Sequence, residues 1–328
     1  MGSSDYWLVA CTSKELKTKP LACEILSTLI VLFRVGNNIN ALVDRCPHRN
    51  VPLSEGRIIN GNIECPYHGW QFNGQGKCQK IPGLCAEILE TNHDATAIET
   101  TEKYGFIWVK LSEYPNVIYY APFTENKNYH SFTWQTEALG SLVNILENFL
   151  DGAHTHFIHS GLIRSESKRQ KVLALVKRGN SQVEIKYTGE GKQSGIISRW
   201  FEQSRKESYG RFILPSIAEI EYVSNSGPEL IITAYITPIS NDKHKIYAVI
   251  SSKKGIIPGI LKKWLITPFF RKILEQDLAI LELQCKNIQR FEGENFSSTE
   301  IDLIRPHIKS LLKGIKDKEL EKTISIML

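Results

Sequence analysis

The chain has 328 residues, 42% hydrophobic and 23% charged, with a formal net charge of +5. That length allows two modest domains with real apolar cores, and the composition is neither disordered nor collagen-like. The positive excess is small and scattered, with no aromatic platform between the basic residues, so nucleic acid is not expected as a partner. No stretch reaches the roughly 18 consecutive apolar residues of a membrane-spanning helix. The beginning of the chain lacks the basic start and apolar run of a secretory signal. Seven cysteines, an odd number spread along a long chain, point to a reducing compartment with thiols free to act as ligands. The expected location is therefore the cytoplasm.

From about Leu8 to Leu111 the chain is a series of short strand-like runs punctuated by Gly, Asn and Pro. "LACEILSTLIVLFRV" reads as two strands broken by a turn near Ser27 and Thr28, followed by "INALVD", "GNIEC", "GWQFN" and "YGFIWVKL". This is a small all-β unit. "SEYPNVIYYAPFTENKN" is a connector with two prolines and little periodicity. A helical pattern follows in "ALGSLVNILENFLDGAH", where Leu142, Ile145, Leu146 and Phe149 share one apolar face and Gly152 loosens the end. From Val172 to about Ser251 long alternating runs predict an antiparallel sheet with one covered face. A second helix is expected in "RKILEQDLAILELQCKNIQRF". The predicted fold is α+β, with an all-β domain over residues 1–115. Residues 116–328 form a second domain whose antiparallel sheet is covered by helices, in the manner of a helix-grip or START-like fold.

The first set of chemistry-bearing residues lies in "CPHRNVPLSEGRIINGNIECPYHGW". Cys46 and His48 form a Cys-x-His pair, and Cys65 and His68 form a Cys-x-x-His pair after sixteen intervening residues. Tetrahedral zinc is the competing reading, but structural zinc loops usually pair like with like. Here each loop offers one thiolate and one imidazole. That mixture suits a [2Fe–2S] cluster in which two thiolates hold one iron and two imidazoles the other, the Rieske arrangement. Neutral imidazoles reduce the cluster's negative charge and raise its potential to between about −150 and +300 mV. Pro47 and Pro66 stiffen the loops, while Gly69 and Gly74 allow tight turns.

The second set lies in "NILENFLDGAHTHFIH". Asn144, Asn148, Asp151 and His154 recur at three- or four-residue spacing and make a polar stripe opposite the apolar face. Such a stripe is costly to bury unless its groups are paired or metal-bound. His154 and His159, with a carboxylate from elsewhere, would make the two-His-one-carboxylate triad of a mononuclear non-haem iron. His156, between them, reads as an outer or surface group. Cys11, Cys23, Cys78, Cys85 and Cys285 read as structural thiols.

With both sets in place the chain resembles the oxygenase (alpha) component of the Rieske non-haem iron oxygenases, over nearly its whole length. The family's iron motif, Asp-x-x-His-x-x-x-x-His, is matched by Asp151, His154 and His159. The resemblance implies a third ligand from a late helix, assigned to Asp277, with Glu275 and Glu282 as alternatives. It gives Asp151 a separate role, linking His68 of a neighbouring subunit to His154, and thereby implies a homotrimer. Asn148 is expected beside the metal ligands. The implied cofactors are the [2Fe–2S] cluster and mononuclear Fe(II), with O₂ as co-substrate and NAD(P)H acting through a reductase. Compact length places the resemblance nearest the homo-oligomeric branch of vanillate and dicamba O-demethylases.

The implied activity is that of a terminal oxygenase. It hydroxylates or oxidatively demethylates a ring-containing organic substrate, with cis-dihydroxylation as the alternative. A non-enzymatic Rieske electron carrier is the competing class, and residues 151–159 argue against it, because a carrier needs no facial triad. Arg45, Arg49, Arg57, Lys77 and Lys80 near the cluster loops could steer an acidic ferredoxin-like donor. The segment 253–272 reads as a loop and short helix packing at the subunit interface, because proline interrupts any long amphipathic helix. An amphipathic flap at the pocket entrance, or a surface resting on a membrane, is its functional alternative. Phe201, Tyr222 and Tyr235 are candidates for the pocket wall.

Overall fold

A computed structural model describes residues 6–85, 93–111, 118–164, 169–191, 205–255, 259–315 and 320–328. The chain forms two compact units. One runs to Tyr120 and includes Thr237–Ser240, and the other comprises Ala121–Ile236 and Asn241–Leu328. The boundary expected between 115 and 116 falls outside the described residues.

The first unit is all β. Its strands are β1 (Trp7–Thr12), β2 (Leu21–Ile25), β3 (Thr28–Val35), β4 (Asn38–Val43), β5 (Arg57–Ile59), β6 (Asn62–Glu64), β7 (Gln71–Phe72), β8 (Cys78–Lys80), β9 (Ala97–Lys103) and β10 (Phe106–Lys110). They form a six-stranded sheet in the order β1-β10-β9-β4-β3-β2 and a four-stranded sheet in the order β5-β6-β7-β8. The β2–β3 hairpin turns at Leu26 and Ser27, both at positive φ (51° and 60°), the left-handed pair that a two-residue hairpin requires. The smaller sheet and β3–β4 share a core of Phe33, Leu53, Ile63 and Phe72 into which Cys46 and Cys65 are also packed. The thiols are thus rooted in apolar packing.

The second unit is built on strands β11 (Tyr129–Leu139), β12 (Lys171–Arg178), β13 (Gln182–Thr188), β14 (Arg205–Ile213), β15 (Ile217–Ser224), β16 (Gly227–Pro238), β17 (Lys243–Lys253) and β18 (Leu320–Met327). They form one eight-stranded sheet in the order β11-β17-β16-β15-β14-β13-β12-β18. Alternation decides which face is covered: Val172, Ala174 and Val176 on β12, and Val183 and Ile185 on β13, point into the core. Among the described residues three α-helices accompany the sheet, α1 (Leu142–Leu150), α2 (Gly259–Arg290) and α3 (Arg305–Leu312). Ile145, Leu146 and Leu150 of α1 join Leu281 of α2 and Ile308 of α3 in that core. The α+β architecture expected from the sequence is present, with β11, β14, β18 and α3 in addition.

Two local expectations are corrected. The polar stripe does not ride one continuous helix. α1 ends at Leu150, Asp151 is extended (φ −73°, ψ 128°), and a separate 3-10 turn spans His154–His156. Of the two prolines in the 253–272 segment, Pro258 lies outside the described residues, and Pro268 does not interrupt the helix, because α2 runs through it. Pro268 itself is exposed, while Phe270, Ile273 and Leu274 beyond it line a cavity, so their burial offsets the missing backbone bond. Residues 256–258, and the side chains of 259–263 and 266, lie outside the description.

His244 on β17 is 2% exposed, and its Nδ1 is buried without a partner. Burial pushes its imidazole down to about 4, against a hydrogen bond to the Gly140 carbonyl and the nearby Asp242 carboxylate. It is neutral in the fold but binds a proton below its ordinary pKa of about 6.5 when unfolded. Its contribution is therefore complete above about pH 6.5 and is lost as pH falls toward 4, on the order of 3 kcal/mol in all. His244→Leu is expected to flatten this part of the acid limb when urea midpoints are measured against pH. An unchanged limb would contradict that assignment.

Candidate metal centres and the cavity beside them

The two cysteine–histidine loops repeat one backbone design. Cys46 N–H donates to the Val51 carbonyl (2.9 Å) and Cys65 N–H to the Trp70 carbonyl (2.8 Å), five residues on in each case. Asn50 N–H returns to Cys46 O (2.9 Å) and Gly69 N–H to Cys65 O (3.1 Å). Asn50 and Gly69 both have positive φ, 60° and 70°. A Cβ at Gly74 would collide with the Asn40 side chain, which explains that glycine by lack of space. Cys46 and Cys65 are buried, whereas His48 is half-buried and His68 exposed, so the thiols lie inside and the imidazoles toward solvent. The His48 ring stacks on Trp70 (4.7 Å between centroids, 4° between planes) and lies 4.6 Å from His68.

The donor set fits a cluster on two counts. His48 Nδ1 is buried with no hydrogen-bond partner, an arrangement that a metal would satisfy. Burial pushes the Cys46 thiol up to about 11, with the Cys65 thiol beside it adding to the rise. Two thiolates are stable there only with a compensating metal. Among the described residues, the group of three or more donors close enough to share a single ion is His154, His159 and Asp277. The four donors of the first unit do not close on one point, which disfavours a single zinc.

The second site is assembled from three segments of the other unit. His154 follows α1, His159 sits in the next turn, and Asp277 projects from the middle of α2. Their donor atoms lie within 4.8 Å of one another. Both imidazoles aim Nε2 at the same carboxylate oxygen: His159 is 3.1 Å and His154 3.5 Å from Asp277 Oδ1. Each ring is fixed from behind, His159 Nδ1 by Gln276 Oε1 (3.0 Å) and His154 Nδ1 by Asp151 Oδ2 (3.3 Å). Those contacts leave the Nε2 lone pairs for a metal. Burial lowers the His159 pKa, but Asp277 and Gln276 outweigh it and hold the imidazole above its ordinary value. The spot favours a cation.

Asp151 also accepts from the N–H groups of Ala153 (2.8 Å) and His154 (3.0 Å), capping the turn that carries His154. Asn148 Nδ2 donates to Asp277 Oδ1 at 3.4 Å, so it reaches the site from α1. Asn144 is drawn elsewhere, accepting from Arg305 Nη1 at 2.8 Å. Glu282 pairs with Lys286 at 2.6 Å, and neither it nor Glu275 joins the donor group. His156 is 1% exposed and belongs to the interior, not the surface. Gln276 was not singled out from the sequence, because an uncharged helical residue carries no signal until the fold brings His159 beside it.

The metal site opens on a cavity of about 210 Å³ above the sheet. Its floor is a row of paired residues, Tyr187, Ser208, Tyr222 and Leu230, running across β13 to β16. Trp134, Ala248, Ile246 and Phe270 complete a largely apolar wall. Tyr222 is in that wall, Tyr235 is buried but does not line the cavity, and Phe201 lies outside the described residues. A second recess of about 340 Å³ borders Asp151 and His154 from the α1 side and mixes polar groups, Asn144, Glu147, Asp302 and Arg305, with apolar side chains such as Leu281 and Phe296.

The Rieske [2Fe-2S] domain family matches residues 6–96, and the vanillate O-demethylase oxygenase C-terminal domain family matches residues 140–315, more than half of the chain. The chain belongs to the Rieske oxygenases. Its Rieske half carries the cysteine–histidine loops, and its vanillate O-demethylase-type half carries the three-donor group. Protein TIC 55 of Pisum sativum is 28% identical over 279 residues, 81% of this chain and 48% of that protein. Methylxanthine N1-demethylase NdmA of Pseudomonas putida is 27% identical over 195 residues, 56% of this chain and 54% of its own. The matches thus span about half the length of each of these curated relatives. Dicamba monooxygenase bound to dicamba shares the fold, with a TM-score of 0.82 at 19% identity over 95% of this chain and 97% of that one. Members of this Rieske oxygenase family hold a [2Fe–2S] cluster and a mononuclear iron, and the donor sets above fit both.

Proposed function

We propose that this chain is a terminal oxygenase that hydroxylates, or oxidatively demethylates, a small and largely apolar ring-containing substrate. The observation that carries the proposal is the three-donor group at the mouth of an apolar cavity, in a chain that also bears Rieske loops. Cys46, Cys65, His48 and His68 would hold the cluster, and His154, His159 and Asp277 the mononuclear iron. When bound, these groups supply single electrons and activation of O₂.

The chain's own residues do the rest. Gln276 and Asp151 keep the His154 and His159 rings in one tautomer. Apolar side chains of the cavity exclude water from the reacting atoms and orient the substrate by shape. Asp151, with a side chain 35% exposed beside the second recess, would bridge His68 of a second subunit to His154 in a homotrimer. The exposed Arg45, Arg49 and Tyr67 around the cluster loops offer a docking face for an acidic ferredoxin or reductase fed by NAD(P)H.

No helix among the described residues is long and apolar enough to cross a membrane. None of the seven cysteines forms a disulfide, and the cytoplasm is kept as the compartment in this proposal. The test supplies the purified chain with NADH, a surrogate reductase, labelled O₂ and a panel of aromatic, methoxylated and polycyclic compounds. One labelled oxygen per product, or formaldehyde release, is expected. Two labelled oxygens on adjacent ring carbons would mean dihydroxylation, and absence of substrate-dependent O₂ uptake would leave an electron carrier.

A further inference from the structure

We propose that Arg164 is a positioning residue that clasps the two histidine-bearing turns together and so sets the geometry of the mononuclear metal site. The inference rests on the metal-site reading above. Arg164 is 5% exposed, and a buried guanidinium persists only where it is paired and hydrogen-bonded. Its Nη2 binds Glu190, itself 7% exposed, and Glu190 is paired on its other oxygen with Arg205. The buried carboxylate is thus an anchor at the end of β13, and Arg164 reaches from it into the wall of the cavity.

The other terminal nitrogen does the clasping. Arg164 Nη1 donates to the Gly152 carbonyl (2.6 Å) and to Thr155 Oγ1 (3.0 Å), while Thr155 Oγ1 donates to the same Gly152 carbonyl (2.7 Å). Residues 152 and 155 flank His154, so this knot holds the His154 turn. The main chain of Arg164 holds the other turn. Its carbonyl accepts from Gly161 N–H at 2.8 Å, and a bridge joins Ser160 to Arg164. Leu162 and Ile163 N–H groups close back on the His159 carbonyl at 3.0 and 3.1 Å. One residue therefore fixes both turns, whose imidazole centroids lie 5.2 Å apart.

The choice of residue type follows from the geometry. Two guanidinium nitrogens point at different partners, and a lysine ammonium could not serve both. A Cβ on Gly152 would meet Arg164 Nη1 at 3.4 Å and Leu328 Cδ1 at 3.3 Å, so the close approach of the guanidinium depends on that glycine. An arginine in a cavity wall is first read as an anchor for an anionic substrate. Here both terminal nitrogens are already engaged, and the clasp accounts for them.

The test uses full-length protein with its cluster in place, after the mononuclear iron has been removed by chelation. Fe(II) is titrated back anaerobically, and bound iron is read from the high-spin EPR signal of its nitric oxide adduct with the cluster oxidised. Arg164→Met leaves Glu190 paired with Arg205, so no buried charge is stranded. It is expected to bind Fe(II) about tenfold more weakly and to broaden the signal. Arg164→Lys should fail to restore either property. Thr155→Val, which removes the bond from Arg164 Nη1 and the bond to the Gly152 carbonyl but leaves Arg164 on that carbonyl, should cost about threefold. Cluster absorption should be unchanged in all three. Wild-type affinity and line shape in Arg164→Met would overturn the clasp, including the case in which only its melting temperature falls. A wild-type chain that gives no Fe(II) signal would instead overturn the metal-site reading, and the clasp with it.

Discussion

His159→Ala is expected to lose the mononuclear iron and all product formation while the cluster stays at full strength. His159 is 1% exposed and places Nε2 3.1 Å from Asp277 Oδ1. Its Nδ1 contact with Gln276 fixes the direction of that lone pair. Removing an outer partner of a metal ligand already weakens binding by about 10–100-fold, so removing the ligand itself should cost more than about 100-fold. The remaining His154 and Asp277 make a bidentate site that cannot hold iron at micromolar supply. The measurement is iron against acid-labile sulfide, with the visible spectrum of the cluster as the internal control. Retention of the same iron content with wild-type turnover would remove His159 from the site.

The second large effect belongs to Asp151. Burial pushes its carboxyl up, yet hydrogen bonds from His154 and from the Ala153 and His154 N–H groups outweigh this and hold it below the ordinary carboxylate value. Asp151→Asn keeps an oxygen that can cap the turn, so the fold and both metal contents are expected to survive. What changes is the contact with His154 Nδ1, now 3.3 Å from a carboxylate oxygen. An amide offers one acceptor oxygen where the carboxylate offers two, and its NH₂ donates, so it cannot accept from two imidazole N–H groups through separate oxygens. Coupled turnover should fall about 10–100-fold. Single-turnover reoxidation of the pre-reduced cluster, followed by absorbance together with product, is the direct reading. Unchanged coupling would sink the bridging role while leaving the metal ligands untouched.

Much of this could be read without coordinates, because the signals were local. The Cys-x-His and Cys-x-x-His loops declare themselves by residue type, and their shared backbone design follows from Asn50 and Gly69 at matching positions. Alternation over β13 was legible because one face of the strand is covered, whereas β15, β16 and β17 carry runs of consecutive buried residues, so the single covered face expected there does not extend over them. Asp277 was one of three acidic candidates on one helix, and only the approach of α2 to the His154 and His159 turns distinguishes it from Glu275 and Glu282.

What escaped was long-range. Gln276 meets His159 across 117 positions, and Arg305 meets Asn144 across 161. Neither partner carries a motif. Arg164, Glu190 and Arg205 are far apart in sequence and carry no motif, and only the fold pairs them in the interior. Pro268 misled for a physical reason: local propensity ends a helix there, and the burial of Phe270, Ile273 and Leu274 overrides it.

The central claim is that two different iron sites coexist in this chain, and iron with acid-labile sulfide on anaerobically purified protein tests it most directly. The account predicts about three irons for every two sulfides, one [2Fe–2S] cluster and one mononuclear ion. About two irons for every two sulfides, persisting after Fe(II) is added, would contradict it and leave the chain with its cluster alone.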